Sequence, residues 1–379
     1  MKIETFEMER MQCMYELNVE LNLSESGVLP LKLSELLDGE EDVEYFLAHE
    51  LWYSEPDGSQ LFRERIAQFY TDYTECKPDN ITVTNGGSEA NYVTLWTLLE
   101  PGSRLALMIP NYMQAWGLGH AYADGVDTFQ LILKKEAGQY RWVLDLESLR
   151  RAVTPKTNVI LVTNPNNPTG AVLTAAEMDA IVDVALKAGA WLMVDEIYRG
   201  AEVQGGTSPT FWGRYEKVVI TSGLSKAFGL PGLRIGWIVA PPKLIEELWI
   251  HHDYLTLTPS LLGDRLGTIA MEPQRRESLL ARTRKIIREN LPPLEEWFQK
   301  NDDILTYVRP QAGAITYCEY KLPITSTELI NRLRIEHSVL LTPGDQHGLD
   351  KGFRIGFGYD REKTLKGLAR IEALMRTLM

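Results

Sequence analysis

The chain has 379 residues, of which 44% are hydrophobic and 24% are charged, a composition typical of globular proteins rather than of disordered or fibrous ones. This length is enough for one large domain and a smaller one. The chain has 39 Lys and Arg against 52 Asp and Glu, and the resulting net charge of −13 disfavours nucleic acid and anionic membrane surfaces as partners.

Cysteine usage and the N-terminal residues indicate the compartment. Cys13, Cys76 and Cys318 lie far apart, so we expect neither a disulfide framework nor a zinc ribbon. The first residues, MKIETFEMER, are acidic and polar, unlike a signal peptide, and no apolar run is long enough for a transmembrane helix. These features predict a cytoplasmic protein with no metal site and no membrane partner.

In chain order, the first forty or so residues show no strand–helix alternation, whereas the middle of the chain does. TAAEMDAIVDVALKAG (174–189) predicts an amphipathic helix that begins after Thr174 and ends at Gly189. Around it lie apolar runs that predict strands buried on both faces: RLALMIP (104–110), NVILVTNP (158–165), AWLMVDEI (190–197), KVVITSGL (217–224) and RIGWIVAP (234–241). The alternation predicts an α/β fold whose mostly parallel sheet is flanked by helices.

The pattern changes after Pro259. Residues 263–299 have helical periodicity and many charges, with interruptions expected at Pro273 and at Pro292-Pro293. Further elements follow at YVRPQAGAITYCEY (307–320), STELINRLRIEHS (326–338), FRIGFG (353–358) and a closing helix from about Arg361. We therefore predict a large domain over residues 46–262 and a smaller α+β domain built from residues 1–45 and 263–379.

Two motifs place polar groups at the carboxyl ends of predicted strands. NPNNPTG (164–170) contains two Asn-Pro steps, which impose turn or extended geometry. Asp195, in MVDEIYRG (193–200), ends the next strand, where a carboxylate needs a cation or hydrogen bonds. A plain turn and a helix cap would also account for them. Because ligands of open α/β sheets bind at strand carboxyl ends, a ligand site is the functional alternative.

Two further motifs supply positive groups. TNGGSEAN (84–91) sets two glycines and a serine at a predicted helix start, where free N–H groups and the helix dipole suit an anion. TSGLSKAFGLPGLRIGW (221–237) sets Lys226 and Arg234 in an apolar stretch. A desolvated lysine can form a Schiff base and an arginine can bind phosphate, although snorkelling or an ion pair would also account for such residues. Together the motifs suit one ligand, pyridoxal 5′-phosphate (PLP).

In these motifs, from about Tyr53 to Arg354, the chain resembles the class I/II aminotransferases, which are fold-type I PLP-dependent enzymes. The resemblance implies that Lys226 forms an aldimine with the cofactor and moves the substrate proton, and that Asp195 pairs with the pyridinium nitrogen. It implies hydrogen bonds from Tyr198 and Asn167 to the ring O3′. The other cofactor contacts that it implies are Gly86, Gly87, Ser88, Tyr112, Ser225, Arg234 and, lent across a homodimer interface, Tyr53.

The same resemblance implies that Arg354 binds the substrate α-carboxylate, together with Asn167 and an N-terminal loop at Ser26 or Gly27. Two departures are visible. The family often has a phosphate-binding serine where this chain has Gly223, and Ser222 stands one residue earlier. The arginine with which aspartate-type members hold a second carboxylate is missing, since no Arg or Lys occurs between Lys243 and Arg265. A dicarboxylate substrate held in that way is therefore not expected.

The resemblance predicts an aminotransferase that moves an amino group between an L-amino acid and a 2-oxo acid. The same residues also serve PLP-dependent lyases, decarboxylases and cyclising or oxidising enzymes of arginine-like substrates. The acidic stretch FEMERMQCMYELNVELNLSESGV (6–28) suits a basic substrate if it faces the site, or is a solvated helix if it does not. A non-enzymatic regulator is a third alternative, disfavoured because the acidic N-terminal segment offers no basic recognition helix.

Overall fold

The computed structural model describes residues 2–37, 39–136 and 138–379. Its helices are α1 Glu7–Tyr15, α2 Leu33–Leu36, α3 Glu40–Leu47, α4 Gln60–Ala67, α5 Gly87–Leu98, α6 Gln114–Tyr122, α7 Leu146–Ala152, α8 Ala175–Ala188, α9 Pro242–His252, α10 Leu261–Ala270, α11 Pro273–Lys300, α12 Ser326–His337 and α13 Arg361–Thr377. None of the helices within the described residues has the combination of length and hydropathy that a membrane span requires.

The strands are β1 Leu21–Asn22, β2 Ile81–Thr84, β3 Arg104–Ile109, β4 Val126–Glu136, β5 Gln139–Leu144, β6 Thr157–Thr163, β7 Trp191–Asp195, β8 Val218–Gly223, β9 Gly236–Val239, β10 Leu305–Tyr307, β11 Ile315–Tyr320, β12 Val339–Leu340, β13 Thr342–Pro343 and β14 Phe353–Gly356. The large sheet has the order β2-β9-β8-β7-β6-β3-β4-β5. Helices pack on both faces of this sheet, which confirms the predicted α/β class.

The central strands β4, β3, β6, β7 and β8 are parallel, whereas β9 runs antiparallel to both of its neighbours, β8 and β2. The five predicted strands are confirmed, but the fifth joins the sheet antiparallel, because its connection from β8 is a short loop rather than a crossover helix. Two reversals make β2 parallel to β8. The carboxyl ends of β2, β3, β6, β7 and β8 therefore meet at one edge of the sheet, where ligands of such sheets bind.

Helix α8 forms where its sequence predicts. The Thr174 hydroxyl accepts a hydrogen bond from the Glu177 amide, and the Glu177 carboxylate accepts one from the Thr174 amide, which completes a capping box. Gly189 ends the helix in the left-handed conformation, with φ of 65°. These residues are sufficient to predict both ends of α8 from the sequence, because each acts within one turn of the end that it marks.

Helix α11 corrects one prediction. Pro273 stands in its first turn and separates it from α10, as expected, but Pro292 and Pro293 lie inside the helix without ending it. The carbonyls of Arg288 and Glu289, four residues earlier, lose their amide partners, and both residues are exposed to water that can replace them. The opposite face holds the helix together through the buried side chains Leu291, Leu294, Trp297 and Phe298.

The second part of the fold carries two smaller sheets. One has the order β10-β11-β14-β13 and is antiparallel, and the other pairs β1 with β12 in parallel. The N-terminal residues thus pack with the C-terminal ones, as the sequence predicted. One continuous hydrophobic core runs from Leu21 through Ile220 to Met375 and joins both parts. The boundaries 46–262, with 1–45 and 263–379, remain our proposed division.

Candidate active site

A cavity of about 290 Å³ opens at the edge where the parallel strands end. It brings together most of the site residues that the sequence predicted, namely Ser26, Gly87, Ser88, Tyr112, Asn167, Asp195, Tyr198, Ser225, Lys226, Arg234 and Arg354. Gly27 adjoins the Lys226 stem, since a β-carbon on Gly27 would lie 3.9 Å from the Lys226 Cδ. The motifs converge because each follows a strand of one sheet.

Asp195 is the buried carboxylate of the cavity and ends β7. It accepts hydrogen bonds from the Asn91 amide, at 3.2 Å, and from the Ile197 backbone amide, at 3.0 Å. Burial raises the pKa of Asp195, and these bonds with the charge of Lys226 oppose that rise. A buried carboxylate with part of its capacity free can pair with a protonated ring nitrogen, as the predicted cofactor requires.

Asn91 was missed in the sequence although it belongs to the quoted TNGGSEAN motif. Its Oδ1 accepts a hydrogen bond of 2.6 Å from the Thr221 hydroxyl, and its amide nitrogen is thereby turned toward Asp195. The sequence feature that could have revealed Asn91 is its position four residues after Gly87, which places it on the same face of α5 as the helix start. Asn91 orients the carboxylate rather than the phosphate end of the site.

Lys226 follows β8 through a short turn and lies half-buried beside the cavity. Burial lowers the pKa of the Lys226 ammonium, and the charges of Arg354 and Arg234 lower it further, against the opposing effect of Glu25 and Glu9. A lowered pKa makes the neutral amine available, which Schiff-base formation and proton transfer from carbon both need. The apolar surroundings noted in the sequence therefore serve the amine chemistry.

Arg354 is 1% exposed and lies on β14, inside the cavity wall. Its guanidinium donates to the Asn167 Oδ1 at 2.9 Å, to the Ser24 carbonyl at 2.5 Å and to the Thr342 hydroxyl at 3.1 Å. Its Nε has no partner among the described residues. A buried arginine held on one side and free on another is suited to a carboxylate ligand.

Tyr198 carries the second unpaired group. The residue is 2% exposed, yet its hydroxyl makes no well-formed hydrogen bond to a described residue, although Ser26 lies close by. Burial raises the pKa of the Tyr198 hydroxyl to about 12, so the group is a hydrogen-bond donor at neutral pH. Buried polar groups are normally paired, and an unpaired one facing a cavity indicates a ligand.

The anion cradle lies at the N-terminus of α5. Gly86, with φ of 96°, caps the helix, and a β-carbon on it would lie 2.4 Å from the Arg234 Nη2. The absence of a side chain thus lets the guanidinium approach the helix start, where free amides of Gly87 and Ser88 already favour an anion. Arg234 is held by its own bond to the Pro231 carbonyl, at 3.0 Å. These groups fit a phosphate.

Gly223, where the family often has serine, is explained by packing. It pairs with Gly236 across β8 and β9, and a β-carbon on Gly223 would lie only 2.7 Å from the Ile235 carbonyl oxygen. The preceding Ser222 cannot replace the missing hydroxyl, because it is directed toward the Glu196 carbonyl at 3.3 Å. The anion cradle of this chain therefore lacks a hydroxyl at this position, and Ser225 is the serine on this loop that lines the cavity.

We expect Gly223→Ser to destabilise the protein rather than to add a phosphate ligand. The new β-carbon would collide with backbone that cannot move freely, which costs about 1–3 kcal/mol in the free energy of unfolding. Chemical denaturation measures this change, and Gly206→Ser is the matched control because a β-carbon at Gly206 meets nothing within 4 Å. A Gly223→Ser variant as stable as the wild type, with tighter cofactor binding, would contradict this explanation.

Two predicted aromatic residues differ in their placement. Tyr112 lies in the cavity wall, makes an edge contact with Phe6 at 4.9 Å between ring centres, and donates a hydrogen bond of 2.7 Å to Glu9. Tyr53 is 80% exposed and is not part of the cavity lining. This position agrees with a residue that acts on a neighbouring subunit, and the role itself stays a prediction.

The N-terminal helix adds residues that the sequence left undecided. Cavity-lining side chains of α1 and of the segment after it include Glu9, Gln12, Glu16 and Glu25. The alternative of a wholly solvated acidic helix is therefore wrong for this face of α1. The sequence already indicated this placement, because Glu9, Gln12 and Glu16 recur three and four residues apart and so share one face of the helix.

The residues of the cavity fit PLP. The unpaired Tyr198 hydroxyl suits the ring oxygen, and the unpaired Arg354 Nε suits the substrate carboxylate. The cradle that a side chain on Gly86 would fill suits the phosphate, and the buried Asp195 suits the ring nitrogen. Asn164 and Asn166 of the NPNNPTG motif have a different use, because the Asn164 Oδ1 accepts a hydrogen bond from the Leu173 amide and the Asn166 side-chain amide donates to the Pro110 carbonyl. Within this motif, only Asn167 lines the cavity.

Comparison with known proteins agrees with the geometry. Residues 49–371 match the family described as aminotransferase class I and II. Capreomycidine synthase of Streptomyces vinaceus is 30% identical over 322 residues, which cover 85% of this chain and 81% of that protein. A PLP-dependent aminotransferase from Streptococcus suis superimposes with a TM-score of 0.90 at 30% identity, covering 100% and 99% of the two chains. The PLP-dependent cyclase OrfR superimposes with a TM-score of 0.87 at 25% identity, covering 100% and 98%. The chain therefore belongs to the class I and II aminotransferase family and is a PLP-dependent enzyme of fold type I.

Proposed function

We propose that the protein is an aminotransferase that moves an amino group between an L-amino acid and a 2-oxo acid. One observation carries the proposal, the meeting of Lys226, Asp195 and Arg354 in a single cavity. This reaction needs an amine to hold the cofactor, a carboxylate to pair with its ring nitrogen and a guanidinium to bind the substrate carboxylate. Lys226, Asp195 and Arg354 have these chemical groups. The aminotransferase from Streptococcus suis, which superimposes over the whole chain, supports the same conclusion.

The residues of the cavity divide the work between binding and proton transfer. Arg354 binds the substrate α-carboxylate through its unpaired Nε, while Asn167, Ser24 and Thr342 hold the guanidinium in place. PLP, when bound, supplies the electron sink that makes the α-proton acidic. Lys226 accepts that proton at Nζ, because burial lowers its pKa and so favours the neutral amine.

A panel of amino acids tests the proposed reaction. The purified holoenzyme is incubated with each of the common L-amino acids and with pyruvate or 2-oxoglutarate, and both the new 2-oxo acid and the new amino acid are quantified by mass spectrometry. We expect stoichiometric exchange, one new amino acid for each new 2-oxo acid. Consumption of an amino acid without a matching 2-oxo acid would contradict transamination.

A second candidate function is a reaction at the substrate side chain, such as elimination or cyclisation on the same cofactor. Decarboxylation is a further reaction open to this scaffold. The similarity to capreomycidine synthase and to the cyclase OrfR favours this candidate, and so do the three glutamates beside the cavity. The panel separates the two, because a cyclised product keeps its amino nitrogen, elimination releases ammonia and oxidation releases peroxide. The shared machinery around Lys226 supports either reaction.

We also propose a cytoplasmic homodimer. Tyr53 is exposed on this chain together with its neighbours Leu51 and Trp52, at 80%, 81% and 73%. Contiguous exposed apolar side chains are typical of surfaces that bind another protein. The partner subunit would then supply what the resemblance implies for Tyr53, a contact to the cofactor phosphate of the neighbouring site.

A further inference from the structure

One face of α1 presents acidic side chains to the cavity. Glu9, Gln12 and Glu16 recur at helical spacing and line it, and Glu25 lines it from the segment after β1. All three glutamates are half-buried. The three glutamates are therefore part of the cavity wall.

The acidic face is fixed relative to Arg354. The Gln12 side chain donates hydrogen bonds to the Ser24 carbonyl and hydroxyl, at 3.2 and 3.1 Å. The same Ser24 carbonyl accepts the bond from the Arg354 guanidinium. One residue thus joins α1 to the arginine that binds the substrate carboxylate, so the glutamates stand at a set position beside a bound amino acid.

The three glutamates add negative charge to the cavity beyond what the cofactor needs. Asp195, Arg234, Arg354 and Lys226 each meet a group of the cofactor or of the α-carboxylate in the proposed function. Glu9, Glu16 and Glu25 have no such group assigned to them, although the charges of Glu25 and Glu9 act on Lys226 and Arg354. Within the described residues, Glu9 accepts a bond from Tyr112, and Glu16 and Glu25 contact each other. Burial raises the pKa of Glu16, and the charge of Glu25 and a side-chain hydrogen bond between the two carboxyl groups add to the rise. A cation bound beside the two carboxylates would oppose this rise.

The cavity that the glutamates line also contains buried polar groups without a partner, which the proposed function assigns to the cofactor and to the α-carboxylate. The Tyr198 hydroxyl and the Arg354 Nε are polar groups on residues 2% and 1% exposed, and neither has a well-formed partner among the described residues. Both residues line the same cavity as the glutamates. The acidic face therefore lies beside buried polar groups that a bound ligand would satisfy.

We propose that Glu9, Glu16 and Glu25 bind the cationic side chain of the substrate, so that the enzyme selects an amino acid with a guanidinium or ammonium group. The inference rests on the proposed function for the amino acid itself and adds the substrate class. Arg354 binds the carboxylate at one end, and the glutamates bind the cation at the other.

Matched pairs of amino acids test this selection on the holoenzyme. L-arginine is compared with L-citrulline, and L-lysine with L-norleucine, since each pair differs mainly by the positive charge. Apparent Kd values come from titrating the visible absorbance of the cofactor with each amino acid, in the absence of a 2-oxo acid. We expect at least one cationic member to bind about 10- to 100-fold more tightly than its neutral partner, as loss of a charge-assisted contact predicts.

Variants then assign the preference to the glutamates. Glu16→Gln and Glu25→Gln should each reduce the preference for the cation, measured as the ratio of the two Kd values within a pair, about tenfold or more. Glu7→Gln is the control, because Glu7 lies on the same helix, is exposed and does not line the cavity. Its effect on the preference should be negligible.

The outcomes separate this inference from the proposed function. Equal Kd values within both pairs, or variants that weaken cationic and neutral amino acids alike, would overturn the inference even if transamination is observed. A preference for the cation that Glu16→Gln removes would uphold the inference even if the product shows cyclisation or elimination instead of a new 2-oxo acid. A preference that survives in both variants would also overturn it.

Discussion

Lys226→Ala should lower turnover of the preferred amino acid at least about 10²- to 10⁴-fold, which is the usual contribution of a positioned acid–base group. Lys226 is expected to have two uses, as the amine that holds the cofactor and as the group that takes the α-proton, so its loss removes both. The variant should still fold, because the alanine leaves only a gap at the edge of a cavity. Turnover is measured by the release of product under saturating substrate.

A matched lysine shows whether the effect is specific. Lys243 is exposed in the first turn of α9, away from the cavity. Lys243→Ala should keep the wild-type rate, and its circular dichroism and that of Lys226→Ala should match the wild type. A Lys226→Ala variant that turns over substrate at the wild-type rate would contradict the proposed function.

Arg354→Lys should lower kcat/KM at least about 10²-fold, even though it keeps the positive charge. Each charge-assisted hydrogen bond contributes roughly 1.5–3 kcal/mol, and a lysine cannot reproduce the planar fork that contacts Asn167, Ser24 and Thr342 while leaving an edge for the carboxylate. Arg354→Ala should be at least as severe and should also destabilise the fold, because it leaves buried acceptors unpaired.

The control for this prediction is Arg370→Lys. Arg370 donates to the His337 carbonyl and to Glu20 at a half-exposed position that does not line the cavity. Its replacement should leave kcat/KM within about twofold, since exposed ion pairs contribute about 0–1 kcal/mol. Arg354→Lys with an unchanged kcat/KM would show that the carboxylate is bound elsewhere.

The part of the fold that the sequence predicted correctly depends on local signals. Strands β3, β6, β7 and β8 are continuous apolar runs, and Thr174 with Gly189 marks both ends of α8 within a single turn. Most of the cavity-lining residues could be predicted because they belong to short motifs directly after a strand. The topology of the sheet then brought those motifs to one edge.

The parts that could not be predicted depend on contacts between distant residues. Pro292 and Pro293 were expected to end a helix, but the buried face of α11 outweighs their local cost. The need for Gly223 arises from Ile235, the residue just before the neighbouring strand β9, a contact that no local pattern reveals. Whether Glu9 and Glu16 face water or the cavity is decided by the bond between Gln12 and Ser24, a pairing across 12 residues.

The measurement that tests the account most directly is reduction of the purified holoenzyme with borohydride, which makes the bond between cofactor and lysine permanent, followed by peptide mass mapping. We predict that the pyridoxyl group is found on Lys226, with no modification in the Lys226→Ala variant and an unchanged map in Lys243→Ala. A pyridoxyl group on another lysine, or none on the wild type after loading with PLP, would contradict the assignment of Lys226 and the proposals built on it.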